Sequence, residues 1–437
     1  MLRLFAGFLF SLLCFLFCSC TTPQAGLSGK PLHQQYADGI EKTGLDRTAM
    51  GSQWLSIAAK SLSQPVAIAL PYKEAGYFAA DDPQALGFRF SLQRGEKVII
   101  RLSTVPAGSI LLFADLWEYK SGKDPGWLGA MDTLNKALEY EVKKDGDYLL
   151  RVQPELLRGI EYTLTITTAP SLSFPVSAGD NPKVSSFWGA NRDAGARSHE
   201  GIDIFAKFRT PVLAAADGTV MRVNENNLGG KVVFMRPEGK DYSLYYAHLD
   251  SQMVKPGQPV RTGDILGLMG NTGNARTTPP HLHFGIYTGN GAVNPYPFVN
   301  VNRPSPKNIS ASTQQMNQYV RSKTQVNIYS SPAVSGPVLT KAPPSTIMLI
   351  RGATDNWYRV LLPDSSTGFV ASAQITTGIL RRQSFKKTTR LLDQPDNNAA
   401  AKLSAEAGQA ADIVGQYNGF YFVNYRNTIG WVPVTQL

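Results

Sequence analysis

The chain has 437 residues, too many for one hydrophobic core, so several domains are expected. Its 43% hydrophobic and 17% charged content is that of folded protein and excludes wholesale disorder. The formal charge of +10 suits an anionic polymer partner, and the three cysteines (Cys14, Cys18, Cys20) all lie at the N-terminus, which excludes cysteine catalysis and disulfides from the rest of the chain.

The first twenty residues, "MLRLFAGFLFSLLCFLFCSC", put one arginine before an apolar run too short to span a bilayer comfortably, as in a secretory signal. "FCSC" followed by "TTP" resembles a bacterial lipobox in which Cys20 is lipidated after cleavage; a plain signal peptide and an N-terminal anchor are the alternatives. A lipid-modified cysteine would hold the protein on a membrane without a transmembrane helix. Thr21 in the next position resembles Gram-negative lipoproteins of the outer membrane that face the periplasm. For an exported chain the expected polymer partner is the bacterial wall and not nucleic acid.

Residues 21–64 are mixed and polar and read as an N-terminal linker or extension, with one helical piece around "SQWLSIAAKSL". From 65 to 170, alternating runs such as "FRFSL", "KVIIRLS" and "EYTLTITT" are separated by turn signals such as "RGE" and "KDGD". That pattern predicts a β-sandwich. "KKDGDYLLRVQP" resembles the last hairpin of the pre-peptidase C-terminal-type sandwich. "APSLSFPVSAGDNP" then serves as linker or domain entrance to residues 171–302, which are Gly-rich and again read as short strands. A Pro/Ser/Asn-rich linker (303–318) precedes an internal repeat.

In that repeat, "NWYRVLLPDSSTGFVASAQI" lines up with "GFYFVNYRNTIGWVPVTQL", pairing Gly368 with Gly430, Val370 with Val432 and, upstream, Pro332 with Pro395. Two copies (319–378 and 379–437) of several short strands predict two small barrels. Their closing pattern resembles bacterial SH3-like domains. Trp357, Phe420 and Trp431 read first as core aromatics, leaving other aromatics to bind peptide. The expected architecture is mostly β and multidomain: sandwich, antiparallel β domain, two barrels. No oligomeric state follows from it.

Four of the five histidines fall within residues 199–283: His199 in "SHEGIDIF", His248 in "YYAHLD", and His281 and His283 in "HLHFGIY". Imidazole is the commonest metal ligand and acid–base group, so the clustering points to a metal or catalytic centre. His33, alone, reads as a satisfied polar residue. "HEGID" is not the helical H-E-x-x-H motif, because its fifth residue is Asp203, and Gly201, Ile202 and Ile204 disfavour a helix. On a straight strand the Cα atoms of His199 and Asp203 would be about 13 Å apart, so both reach one metal only if the chain bends, as Gly201 permits. His281 and His283, about 6.6 Å apart along one strand face, point into one site. No metal-binding glutamate follows them, which discounts a cupin. A catalytic zinc takes three protein ligands and an open position. Five candidates leave two residues for proton transfer and transition-state stabilisation, and spacing leaves open which two.

H-x-x-x-D followed by H-x-H is similar to the signature of the lysostaphin-like (LytM-type) zinc metallopeptidases, cell-wall endopeptidases with an antiparallel β fold (the duplicated hybrid motif). "SHEGIDIFAKFRTPVLAAADGTV", "YYAHLDSQMVKPGQPVRTGDILGLMGNTG" and "VNPYPF" extend the resemblance over about 115 residues. It implies one Zn2+ per chain on His199, Asp203 and His283, with His248 and His281 assisting the chemistry. Tyr246 aligns with the tyrosine before the family's middle histidine and is a candidate substrate contact. Glu200 reads as a solvated carboxylate. Two departures fall near the expected rim: Pro279-Pro280 replaces the usual Gly-Pro, and Gly285 replaces a polar residue after "HLHF". The implied activity is zinc-dependent hydrolysis of peptide cross-links in peptidoglycan, beside a membrane that holds the lipid. The alternatives are a non-catalytic wall-binding or amidase-regulating lipoprotein of the same fold, and a metalloprotease acting on proteins.

Overall fold

The computed structural model describes residues 30–107, 110–131, 137–192 and 197–437, so Cys20 and the signal-like segment lie outside the described residues. Among the described residues no helix is long and apolar enough to cross a membrane. Short strands dominate, and the fold is mostly β with several sheets, as the alternating runs predict.

The first core lies between two layers. One sheet runs in the order Val66–Ala67, Leu86–Leu92, Gly146–Pro154, Leu112–Glu118, Gly126–Ala130. The facing strands are Tyr72–Phe78, Ile160–Pro170, Glu96–Val105 and Leu138–Glu141. Every second residue of Tyr72–Phe78 is buried, and Phe88, Leu116 and Leu150 of one layer meet Ile100, Leu164 and Ile166 of the other. This is the sandwich expected from the period-two pattern.

The segment before it is not a linker from residue 32 on. Helices Leu32–Lys42 and Ala49–Ser63 pack on the sandwich and bury Ala37, Ile40 and Trp54 against Phe113. The buried stripe is narrow, Ala37 and Ile40 three apart on the first helix and Trp54 and Ala58 four apart on the second, and it is covered only by the sandwich. The Trp54 indole donates to the Pro154 carbonyl at 2.8 Å and stacks on His33, whose ring hydrogen-bonds Gln153 Oε1 at 2.7 Å. His33 is therefore a satisfied buried residue, as expected.

Burial, and after it the Arg151 guanidinium, pushes the His33 imidazole down to about 4. The folded state thus binds this proton more weakly than the unfolded chain does. Its contribution is present above about pH 6.5 and is lost as pH falls towards 4, up to about 3 kcal/mol. Hydrogen-exchange protection factors in the two helices, taken relative to the unfolded chain at each pH, should fall over that window, and His33→Gln should flatten the dependence.

The second core belongs to a sheet in the order Lys183–Ser186, Ile202–Phe205, His281–Thr288, Tyr242–Gln252, Gly230–Pro237, Gly218–Asn226, Pro259–Val260. Pro211–Leu213 and Ile265–Met269 pair beside it. Ile202, Ile204, Leu244, Leu282, Phe284 and Ile286 fill the core, so alternation turns Asp203, His281 and His283 to the opposite face. Leu172 and Val176 of the entrance segment are buried in the same core.

The repeated segments fold alike. In each copy the first strand pairs with the fourth, the second with the third and the sixth, and the fifth lies between the fourth and the sixth. The aligned glycines have the same job. A Cβ on Gly368 would lie 2.4 Å from Ile328 Cγ2, and one on Gly430 2.6 Å from Leu391 Cγ. Trp357, Phe420 and Trp431 are buried. Ile347 of the first copy packs with Leu392, Phe420, Phe422 and Trp431 of the second, so several of these aromatics are consumed where the barrels meet. The first barrel is joined to the sandwich as well, since Tyr72–Phe78 pairs with Ile347–Thr354 in one continuous sheet.

Candidate active site

Asp203 lies on the Ile202–Phe205 strand, directly opposite His283, while Phe205 faces His281. His199 is in the loop entering that strand, as expected from the need for a bend. Gly201 acts differently from the expectation. Its backbone is not left-handed, but a Cβ there would lie 2.5 Å from His283 Cε1, so glycine is needed for the ring to fit.

These placements bring three ligand atoms together. His199 Nε2 lies 3.0 Å from His283 Nδ1, and Asp203 Oδ1 lies 3.1 Å from each. Tetrahedral bonds of about 2.0–2.1 Å to one zinc ion set donor atoms about 3.3 Å apart, so the triangle fits such an ion with a small expansion. The surroundings fit too. His199 Nδ1–H donates to the Phe187 carbonyl at 3.0 Å, which turns the Nε2 lone pair inward. Arg192 donates to Asp203 Oδ2 at 2.5 Å and so fixes the carboxylate while leaving Oδ1 to the site. Burial alone would raise the Asp203 carboxyl, yet the His199 and His283 rings beside it, which can donate to it when protonated, hold it well below the usual carboxylate range. Burial also pushes the His283 imidazole down.

His248 and His281 complete the ring of imidazoles, their centroids 4.9 Å apart, with His248 5.9 Å from His283. His281 Nδ1–H donates to the Pro279 carbonyl at 2.9 Å, and its ring stacks on Phe205 at 4.8 Å. His248 Nδ1–H donates to the Thr272 carbonyl at 2.9 Å. In each, the neutral ring therefore keeps its lone pair on Nε2. Burial, reinforced by His281 and His283, pushes the His248 imidazole down to about 4. All five residues line one cavity of about 820 Å³, with Arg192, Tyr245 and Tyr287 in its wall and exposed Glu200 at its edge.

Tyr246 is not part of this wall. It is wholly buried, its hydroxyl accepting from Ala215 N at 3.0 Å and directed to Met235 Sδ. Tyr245 lines the cavity instead and meets the His283 ring edge to face at 5.9 Å. On a straight strand Tyr246 and His248 would share a face. His248 breaks the alternation: its φ is +64° and the pairing register slips between Tyr246 and Leu249. That left-handed residue swings the imidazole to the face carrying Tyr245 and Ala247. Pro279 and Gly285 also prove closer to the chemistry than a rim, Pro279 through His281 and Gly285 as a buried strand residue opposite Tyr245. Arg192 and Tyr245 were not anticipated from the sequence; strand alternation from Ala247 would have found the tyrosine.

Two parts of the chain match known protein families. Residues 197–295 match Peptidase family M23, and residues 324–376 match the Bacterial SH3 domain. An uncharacterized metalloprotease of Haemophilus influenzae is 43% identical over 100 residues, 23% of this chain and 20% of that protein. The L-Ala--D-Glu endopeptidase of Bacillus subtilis is 36% identical over 139 residues, 29% of this chain and 42% of the relative. The chain thus spans less than half the length of these curated relatives. The solved catalytic domain of lysostaphin from Staphylococcus simulans is 31% identical, with 28% of this chain covering 97% of that one at a TM-score of 0.26.

Proposed function

We propose that this chain, which carries a family M23 peptidase domain with a lysostaphin-like fold and a bacterial SH3 domain, is a zinc-dependent endopeptidase of bacterial peptidoglycan. The observation that carries the reading is the triangle of His199, Asp203 and His283 with two further imidazoles over the same cavity. His199, Asp203 and His283 would hold the zinc, which when bound supplies a Lewis acid that acidifies water and polarises a peptide carbonyl.

The remaining work falls to the side chains. His281, anchored on Pro279 and Phe205, presents Nε2 to take a proton from the attacking water. The proton then goes to the departing amine nitrogen, so the peptide C–N bond breaks without releasing an amide anion. His248, anchored on Thr272, faces the same space from another strand. Neutral, it accepts a hydrogen bond; protonated, it donates to developing negative charge or to the amine. Arg192 holds Asp203 Oδ2 and so orients the carboxylate. Tyr245 and Tyr287 give the substrate peptide a wall to lie along.

The flanking domains position this site in the reading. The lipid on Cys20 would tether the chain to the outer membrane facing the periplasm, and the barrels would hold wall material near the cavity. Digestion of purified sacculi, followed by chromatography and mass spectrometry of the released muropeptides, tests the activity and identifies the bond.

A further inference from the structure

The sheet face that presents His283 continues outward past the catalytic cavity. The strand register sets Arg222 opposite Phe234, Phe234 opposite Tyr245, and Tyr245 opposite Gly285. A second cavity of about 590 Å³ lies over this row and shares Leu228, Tyr245 and Tyr287 with the first. Gly285 makes the junction. A Cβ there would lie 3.0 Å from Tyr287 Cε2 and 3.5 Å from Tyr245 Cδ1. Without one, the two tyrosines pack edge to face at 5.8 Å and 81°, as a shared wall between the cavities.

The chemistry of the outer cavity differs from that of the inner one. The Arg222 guanidinium lies over the Phe234 ring at 4.3 Å, and Phe234 packs on Tyr245 at 4.5 Å. Arg236 and Ser243 line the same space. Neither arginine has an ion-pair partner among the described residues, and Asp241, the one acidic residue in the lining, is within ion-pair distance of neither. Two guanidiniums against one carboxylate leave the cavity cationic, over an aromatic floor. Guanidinium matches carboxylate geometry through paired N–H donors, and the floor accepts the apolar stem that carries the carboxylate.

We propose that the outer cavity is a carboxylate-binding subsite, holding an acidic residue of the substrate peptide a few residues from the bond that is cut. The inference rests on the peptidoglycan-peptide reading of the catalytic cavity and adds a specificity to it. Arg222 and Arg236 distinguish a peptide with a free side carboxylate from its amidated counterpart. Asp241 opposes the same ligand.

Calorimetric titration of the chain lacking residues 1–20, carrying His281→Ala so that nothing is cleaved, tests this. The probes are N-acetyl-L-Ala–γ-D-Glu–L-Lys-amide, whose sole carboxylate is that of D-Glu, and the same peptide with that carboxylate amidated. The acid should bind about ten-fold more tightly than the amide. Arg222→Gln with Arg236→Gln should bring the two affinities together, and Asp241→Asn should widen the gap. Equal binding of acid and amide, or a gap that survives both arginine replacements, overturns the subsite. The outcomes separate cleanly from the hydrolase reading. A chain that digests sacculi with no acid preference refutes the subsite alone, and an arginine-dependent preference in a chain inert on sacculi refutes the hydrolase alone.

Discussion

His281→Ala and His248→Ala should each lower the rate of cross-link hydrolysis by about 10²–10⁴-fold while the protein keeps one zinc per chain. The separation of roles comes from geometry. His199, Asp203 and His283 put one donor atom each within 3.1 Å of the others, whereas His248 and His281 send Nδ1–H to backbone carbonyls and keep Nε2 for the cavity. Removing either ring leaves the triangle intact. His283→Ala removes one of its corners and should cost the metal as well as the activity. Metal content by plasma emission, measured beside the rate, checks the assignment. Loss of zinc from His281→Ala or His248→Ala would falsify it.

The largest expected stability effect lies far from this cavity. Arg359→Met should destabilise the chain by about 3–5 kcal/mol, the usual result of leaving a buried charge without its partner. Glu74 is fully buried on the sandwich strand Tyr72–Phe78 and accepts from Arg359 Nε at 3.1 Å and Nη2 at 2.9 Å. Tyr72 and Tyr162 donate to the same carboxylate at 2.7 and 2.6 Å. Arg359 belongs to the first barrel, so the pair locks sandwich and barrel where their strands join. Glu74→Gln alone should also destabilise, and the double variant should recover part of the loss because neither charge is then stranded. Thermal unfolding of the four proteins measures the coupling. Additive losses would show that the two residues do not act as a pair.

What the sequence made legible was what depends on spacing along regular strands. H-x-H on one strand put His281 and His283 on a common face, and Ile202 and Ile204 told which way Asp203 had to turn. The repeat was legible because paired glycines, Gly368 and Gly430, meet the same demand for close approach in both barrels. The misreadings occur where a residue departs from its element's regular geometry or serves something distant in sequence. The family resemblance points to Tyr246, but the positive φ at His248 reverses the strand's alternation and puts Tyr245 in the cavity wall, and no local pattern announces a left-handed histidine. Arg192 reaches Asp203 from a separate short strand, a contact that composition does not encode. The helices at Leu32–Lys42 and Ala49–Ser63 looked like a polar extension because their burial depends on the sandwich beneath them.

In the proposed function five residues make one zinc-dependent hydrolytic site. Its most direct test is digestion of purified sacculi by the chain lacking residues 1–20, with zinc counted in the same sample. Soluble muropeptides should be released, and the release should stop on chelation and return when zinc is restored. Protein with one zinc per chain that leaves cross-linked muropeptides and glycine bridges intact would contradict the proposed function, and would favour a wall-binding role for the same fold.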